Sequence, residues 1–172
     1  RIHMRKDLNI PNDMVVFGRY GGDDTFNLPF VHQVIKNIVE RTKSIYFIFM
    51  NTNKFYEHDR IIYLKGTTDM HEKRKFINTT DALLHGRDRG ETFGLTCGEF
   101  AICKKPVFTF EHTYEKEHMI ILGDQIIKYT NPTDLMYKLC SFKKGSFNMD
   151  NNGYMKCDPM TVMQKFKTIF LD

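Results

Sequence analysis

Apolar residues along this chain gather in short runs that alternate with stretches of helical spacing. Met14–Tyr20 (MVVFGRY) is a β-branched and aromatic run that ends in a glycine turn, Gly21-Gly22-Asp23-Asp24. Asn27–Thr42 then places Phe30, Val31, Val34, Ile35, Ile38 and Val39 on one face, the period of an amphipathic helix. Ser44–Thr52 (SIYFIFMNT) and Arg60–Leu64 (RIIYL) read as strands, and Asp69–Thr79 as a short charged helix with Asp69 at its N-cap. Asp81–His85 and Pro106–Phe110 are further strands, with a helix over Phe93–Cys103 between them. Met119–Leu122 and Ile126–Tyr129 flank a turn at Gly123-Asp124. Pro132–Cys140 and the segment from Asp158-Pro159 through Phe170 read as helices, each with proline at its start.

Near-continuous apolar strands separated by helices call for an α/β fold, a parallel sheet with helices on both faces. Ligands of such sheets bind at the carboxyl ends of the strands. The loops Gly18–Asp24, Leu64–Asp69 and His85–Gly94 are therefore the places to look for chemistry. Lys143–Cys157 is polar and reads as a surface loop, while the apolar faces at Phe30–Val39 and Val162–Phe170 read as core packing.

Composition narrows the class. With 172 residues, 41% hydrophobic and 13% aromatic, the chain can build one domain with a sizeable core, which excludes intrinsic disorder. Its longest apolar runs, Ile45–Met50 and Met119–Leu122, fall far short of the roughly 20 residues of a bilayer span. No signal-peptide pattern is present, and Arg1-Ile2-His3-Met4 reads as a cloning scar, which leaves a single domain at residues 5–172. Lysine plus arginine (25) against aspartate plus glutamate (21) gives a net charge of +4, spread along the chain. So scattered an excess does not call for nucleic acid, although it suits a phosphorylated small ligand. Lys143-Lys144 and Lys165-Phe166-Lys167 read as solvated faces, with a peripheral contact to an acidic membrane left open. Cys97, Cys103, Cys140 and Cys157 form no C-x-x-C pair, and they read as reduced, mostly buried residues of a cytoplasmic protein. His112 and His118, among Glu111, Glu115 and Glu117, fit no zinc spacing and read as a solvated charged loop, so no metal site is expected.

The informative segment is Asp81–Val107, DALLHGRDRGETFGLTCGEFAICKKPV. A strand runs into a loop carrying His85, Arg87, Asp88, Arg89 and Glu91, and Phe93-Gly94-Leu95 then opens a helix that carries Glu99. The first turn of a helix presents unpaired N–H groups and a partial positive charge, a ready phosphate site. Gly94 lets a ligand approach that backbone without a Cβ in the way. Were every residue from Glu91 to Glu99 helical, the two acids would stand about 12 Å apart along the axis, the scale of a nucleotide sugar. A carboxylate is a natural acceptor for paired hydroxyls. Taken singly, each acid also fits a helix-start residue complementing the dipole or a solvated helix face, and His85 also fits an ordinary loop anchor. Thr67 and Thr68 read as a turn or as contacts to a base.

Glu91-x7-Glu99 with its internal Phe93-Gly94-Leu95, followed by Pro106-Val107, resembles the E-x7-E segment of GT-B glycosyltransferases, particularly the large family 4-like group. Phe17-Gly18-Arg19, Ile61–Gly66 and Asn131-Pro132-Thr133-Asp134-Leu135 resemble that family's diphosphate-contacting strand end, base-side strand and late helix start. The resemblance covers most of the chain as the carboxy-terminal, donor-binding, Rossmann-like half of the fold. It implies that Glu91 contacts the transferred sugar, that Glu99 binds the ribose, and that the backbone of Gly94, Leu95 and Thr96 holds the phosphates. It implies that Arg19 stabilises charge on the leaving diphosphate, and His85 and Arg87 are further donor-side candidates. The substrate would be a UDP- or GDP-linked sugar, with no other cofactor, and the hexose would pass with retention and without a metal to an acceptor hydroxyl. The acceptor domain needed for transfer would lie outside these residues, in the same chain or in a partner.

Two departures from the family pattern stand out. The lysine usual about five residues after the Arg19 position is missing, since Gly21-Gly22-Asp23-Asp24 stands there. Arg87 or Arg89 is expected to supply the charge instead. Lys104 occupies a usual glycine position at the left-handed close of the helix, at a cost of about 1 kcal/mol. The alternatives are a nucleotide-sugar-binding module without turnover, a flavodoxin-like domain for another phosphate ligand and, most distantly, a nucleic-acid-binding protein.

Overall fold

In the computed structural model, which describes residues 2–171, the apolar runs form β1 (Val15–Tyr20), β2 (Ile45–Met50), β3 (Ile61–Leu64), β4 (Ala82–Leu84), β5 (Val107–Phe110) and β6 (Ile126–Tyr129). All neighbouring strands pair in parallel, in spatial order 3-2-1-4-5-6. This is the doubly wound, Rossmann-type order, whose direction of winding reverses between β1 and β4. Arg1 of the excluded opening tetrapeptide and Asp172 at the domain's end lie outside the described residues. Met4, in that tetrapeptide, donates its N–H to Thr79 Oγ1 at 2.8 Å.

The helices are α1 (Pro29–Arg41), α2 (Met70–Thr79), α3 (Leu95–Ile102), α4 (Glu117–Leu122), α5 (Pro132–Ser141) and α6 (Pro159–Phe170). Asp69, Asn131 and Asp158 cap α2, α5 and α6 by accepting backbone N–H groups of the first turn. Strand alternation divides the core in two. Phe17, Phe47, Phe49, Leu84 and Phe108 pack with α1 and α5 on one face. On the other, Val16, Tyr20, Ile48, Leu83 and Val107 pack with α2, α3 and α4.

Behind the sheet, Arg5 ties the segment before β1 to the end of α2. Its guanidinium pairs with Asp81 at 2.8 Å and donates to the carbonyls of Met14 and Thr79 at 2.9 and 3.1 Å. The close of α3 bears out the expected strain, since Lys104 adopts φ 60° while Lys105 N–H reaches back to Phe100 O at 3.0 Å.

Four expectations need correction. The face at Val162–Phe170 packs into no core: no residue of α6 is buried, and its apolar stripe stays exposed. His118 is not in a solvated loop but fully buried on α4. The cysteines are not mostly buried, since Cys97 is buried and Cys103 intermediate but Cys140 and Cys157 are exposed. Lys143–Cys157 is not wholly a surface loop, because Met149, Asn152 and Tyr154 are buried, the last with its ring against Gly98.

Candidate functional site

The reversal in strand order leaves the carboxyl ends of β1 and β4 side by side with helices leaving on opposite faces, which opens a crevice. Two adjoining cavities occupy it, of about 770 and 360 Å³, and they share Tyr20, Gly21, Leu95 and Thr96. The larger is also lined by Asn51, Thr67, Thr68, Lys73 and Glu99. The smaller is lined by Arg19, His85, Arg87, Glu91 and Gly94. Every donor-side residue singled out from the sequence except Arg89 therefore borders one crevice, with Glu91 toward one end and Glu99 toward the other. Arg89 lies on an exposed part of the loop. Among the described residues no group of three or more metal-ligating side chains gathers.

The start of α3 stands between the two acids. Gly94 caps it in the left-handed conformation (φ 79°, ψ 67°) without a side-chain cap, so the first N–H groups of α3 have no intrahelical partner. A Cβ at Gly94 would meet His118 Cβ and Tyr154 Oη at 3.1 Å, so both conformation and space demand glycine. Tyr154 pins this corner from the 143–157 segment, donating its hydroxyl to Phe93 O and packing edge-on against the Phe93 ring at 5.4 Å. Glu91 belongs to a two-residue parallel ladder in which Gly90–Glu91 pairs with Glu115–Lys116. The Glu91–Glu99 interval is helical only from Leu95 onward, so the axial spacing of a continuous helix does not apply.

Glu91 is held by two donors. His85 Nε2 and Arg87 Nη1 each lie 3.1 Å from its Oε1. Burial alone would raise its pKa, but the hydrogen bonds and charges of His85 and Arg87 outweigh burial and hold the carboxyl below its ordinary value. His85 is fixed in turn: Tyr129 donates its hydroxyl to His85 O at 2.8 Å, and Thr109 Oγ1 lies 3.1 Å from His85 Nδ1. At the other end Tyr20 donates its hydroxyl to Glu99 Oε2. Burial, and secondarily the carboxylate, push the Tyr20 phenol well above its ordinary value, so it remains a donor.

Arg19 is almost buried, and its terminal nitrogens are engaged by the protein. Nη1 donates to Asn51 O and Thr52 Oγ1, and Nη2 to Gly22 O and Thr25 Oγ1. Burial pulls its pKa down to about 10, against the opposing pull of Glu91, so it remains cationic at neutral pH and braces the Gly21–Thr25 turn. Sequence reasoning missed Tyr20, Thr109, His118 and Lys73, whose Nζ lies 5.6 Å from the Tyr20 ring. The one readable signal was Tyr20, a polar tip at the end of β1 next to Arg19.

No family model matches this sequence and no curated protein matches it. Solved structures do match. TarM superposes with a TM-score of 0.63 at 14% identity over 94% of this chain and 36% of TarM. Anabaena Alr3699/HepE, solved in complex with UDP and glucose, gives 0.71 at 15% identity over 96% of this chain and 50% of that one. The C-terminal domain of the glycosyl transferase group 1 family protein LpcC from Francisella tularensis gives 0.63 at 15% identity over 94% of this chain. This chain spans 90% of that excised domain but half or less of the two longer proteins. The fold is thus that of the carboxy-terminal half of a GT-B glycosyltransferase.

Proposed function

We propose that this chain is the donor-binding half of a glycosyltransferase that holds a nucleotide-diphosphate sugar, UDP- or GDP-linked, in the crevice at the carboxyl edge of its sheet. With an acceptor domain it would pass the hexose to an acceptor hydroxyl, with retention and without a metal. The carrying observation is the placement of Glu91 and Glu99 toward opposite ends of one crevice, with the open N-terminus of α3 between them. In this reading Glu99 takes the ribose hydroxyls, the amides of Gly94, Leu95 and Thr96 take the diphosphate, and Glu91 faces the sugar. Arg87, beside Glu91, stands in for the absent lysine, and Arg19 supplies charge from behind the Gly21–Thr25 turn. The four unpaired cysteines fit a reducing, cytoplasmic setting, and no helix among the described residues is long and apolar enough to cross a membrane.

The engagement of all the Arg19 terminal nitrogens by protein oxygens favours a second reading, a nucleotide-sugar-binding module without turnover. Calorimetric titration with UDP, GDP and their sugars tests binding. Donor hydrolysis or transfer, measured with an acceptor domain supplied, separates enzyme from module. Absence of binding to any nucleoside diphosphate or its sugar overturns both.

A further inference from the structure

A chain of buried polar groups runs inward from Glu91. Beyond His85, the Thr109 hydroxyl is shared: His85 Nδ1 lies 3.1 Å from Oγ1 and His118 Nε2 lies 2.9 Å from the same atom. Thr109 and His118 are fully buried and His85 nearly so, and the two imidazole centroids are 5.1 Å apart. This polar chain crosses a core otherwise built of Leu83, Cys97 and Val107, where valine would fill the place of Thr109 without its hydroxyl.

For a neutral His85, proton counting fixes the direction of the chain. A hydroxyl has one proton, so Thr109 donates to one ring nitrogen and accepts from the other. Ionised Glu91 calls for an N–H at His85 Nε2. A neutral His85 then has a bare Nδ1, which must accept from Thr109, and Thr109 must accept from His118 Nε2–H. His118 Nδ1 is left without a proton, and this atom is buried with no hydrogen-bond partner. Burial, with the neighbouring His85 second, lowers the His118 pKa to about 4 against an opposing pull from the Glu91 backbone and carboxylate, so a second proton on the ring is disfavoured. Both donors to Glu91 converge on Oε1 and neither bonds to Oε2.

We propose that Thr109 and His118 are positioning residues that hold His85 in its Nε2-protonated tautomer, so that His85 and Arg87 anchor one oxygen of Glu91 and leave the other for a sugar hydroxyl. The sugar end rests on the donor-binding reading above; the tautomer does not.

Long-range proton–nitrogen NMR of the imidazole-labelled chain reads the tautomer, and titration with UDP and UDP-glucose, or GDP and GDP-mannose, reads the consequence. The expected wild-type spectrum shows His85 and His118 both protonated on Nε2. Thr109→Val is expected to mix the His85 tautomers and to weaken the sugar nucleotide about tenfold, leaving the nucleoside diphosphate within about twofold. Thr109→Ser restores both, which mere core filling would not predict. If Thr109→Val does not fold, His118→Gln, which keeps an N–H donor, is expected to retain the tautomer, and His118→Leu to lose it. A His85 protonated on Nδ1 in the wild type overturns the proposal. So does an unchanged tautomer with unchanged sugar-nucleotide affinity in Thr109→Val. Failure of the wild type to bind any nucleotide removes the donor reading and the sugar end with it, whatever the tautomer shows.

Discussion

Replacing Tyr20 by phenylalanine tests the ribose end of the crevice with a single-atom change. The ring is 8% exposed and packs edge-on against Phe76 at 5.6 Å between centroids, so phenylalanine keeps its packing. What is lost is the hydroxyl that donates to Glu99 Oε2. Hydrogen bonds to charged groups contribute about 1.5–3 kcal/mol. Glu99 borders the crevice, where water replaces part of the lost bond, so the stability loss is expected to be about 1–1.5 kcal/mol. For a domain of this size that lowers Tm by about 2–6 °C. In nucleotide binding the same carboxylate is predicted to accept the ribose hydroxyls. Glu99→Ala should then cost about 2 kcal/mol, roughly 30-fold in affinity for UDP or GDP, whereas Tyr20→Phe, which only frees the carboxylate to rotate, should cost about three- to fivefold. Because Tyr20 acts through Glu99, the double variant should bind no more weakly than Glu99→Ala alone. Calorimetry across the four proteins measures the cycle. Full affinity in Glu99→Ala refutes the ribose assignment, and strictly additive losses refute the dependence of Tyr20 on Glu99.

Three further outcomes are expected. Arg5→Met leaves the carbonyls of Met14 and Thr79 without this donor and Asp81 with the Val16 N–H and the Lys144 ammonium, and denaturant unfolding should show a loss of about 2–3 kcal/mol; a loss under about 1 kcal/mol contradicts the clamp. Lys104→Gly relieves the left-handed backbone at φ 60° and should stabilise by about 0.5–1 kcal/mol, read as a rise in Tm, with a fall in Tm as the contrary result. His118 stays neutral in the fold down to about pH 4 but takes its proton near pH 6.5 when unfolded. Between these values the unfolded state binds more protons, so stability is complete above pH 6.5 and falls by about 3 kcal/mol as pH drops toward 4. His118→Phe should flatten that slope, measured as Tm against pH, and an unchanged slope counts against the buried neutral imidazole.

The sequence disclosed whatever local pattern decides. Strands such as Ile45–Met50 are buried on both faces and carry no polar interruption, so their boundaries fell within a residue or two of the apolar runs. Asp69 announced its helix by cap chemistry, and Pro132 and Pro159 announced theirs by standing in the first turn. Gly94, Glu91 and Glu99 were legible because one loop and one helix carry all three. His118 was not, because it sits amid Glu111, Glu115 and Glu117, and a six-residue helix has no period that reveals its buried face. Thr109 looks like any β-branched strand residue until β5 sets it beside His85. Helix α6 shows the opposite failure: spacing identifies an apolar stripe without saying what covers it, and here Met163, Phe166 and Ile169 stay exposed.

The two acids of the crevice are controlled by different chemistry, and that difference gives the site a direction. Glu91 is bonded by a cation and an imidazole, which keep it ionised while offsetting its charge. Glu99 is bonded by a neutral phenol whose proton burial makes hard to remove, so its charge is oriented but not offset by Tyr20. A doubly negative diphosphate is therefore repelled more at the Glu99 end than at the Glu91 end, where Arg87 and Arg19 stand. The Gly94 amide corner lies between them, and among the described residues lining the acidic end Lys73 is the one cation. Hydroxyl groups tolerate an uncompensated carboxylate and hydrogen-bond to it, whereas phosphates do not. On the proposed donor reading, a ligand carrying hydroxyls at one end and phosphates toward the centre would be admitted in one orientation, ribose against Glu99. A simple phosphate monoester has no group that profits from the Tyr20–Glu99 pair.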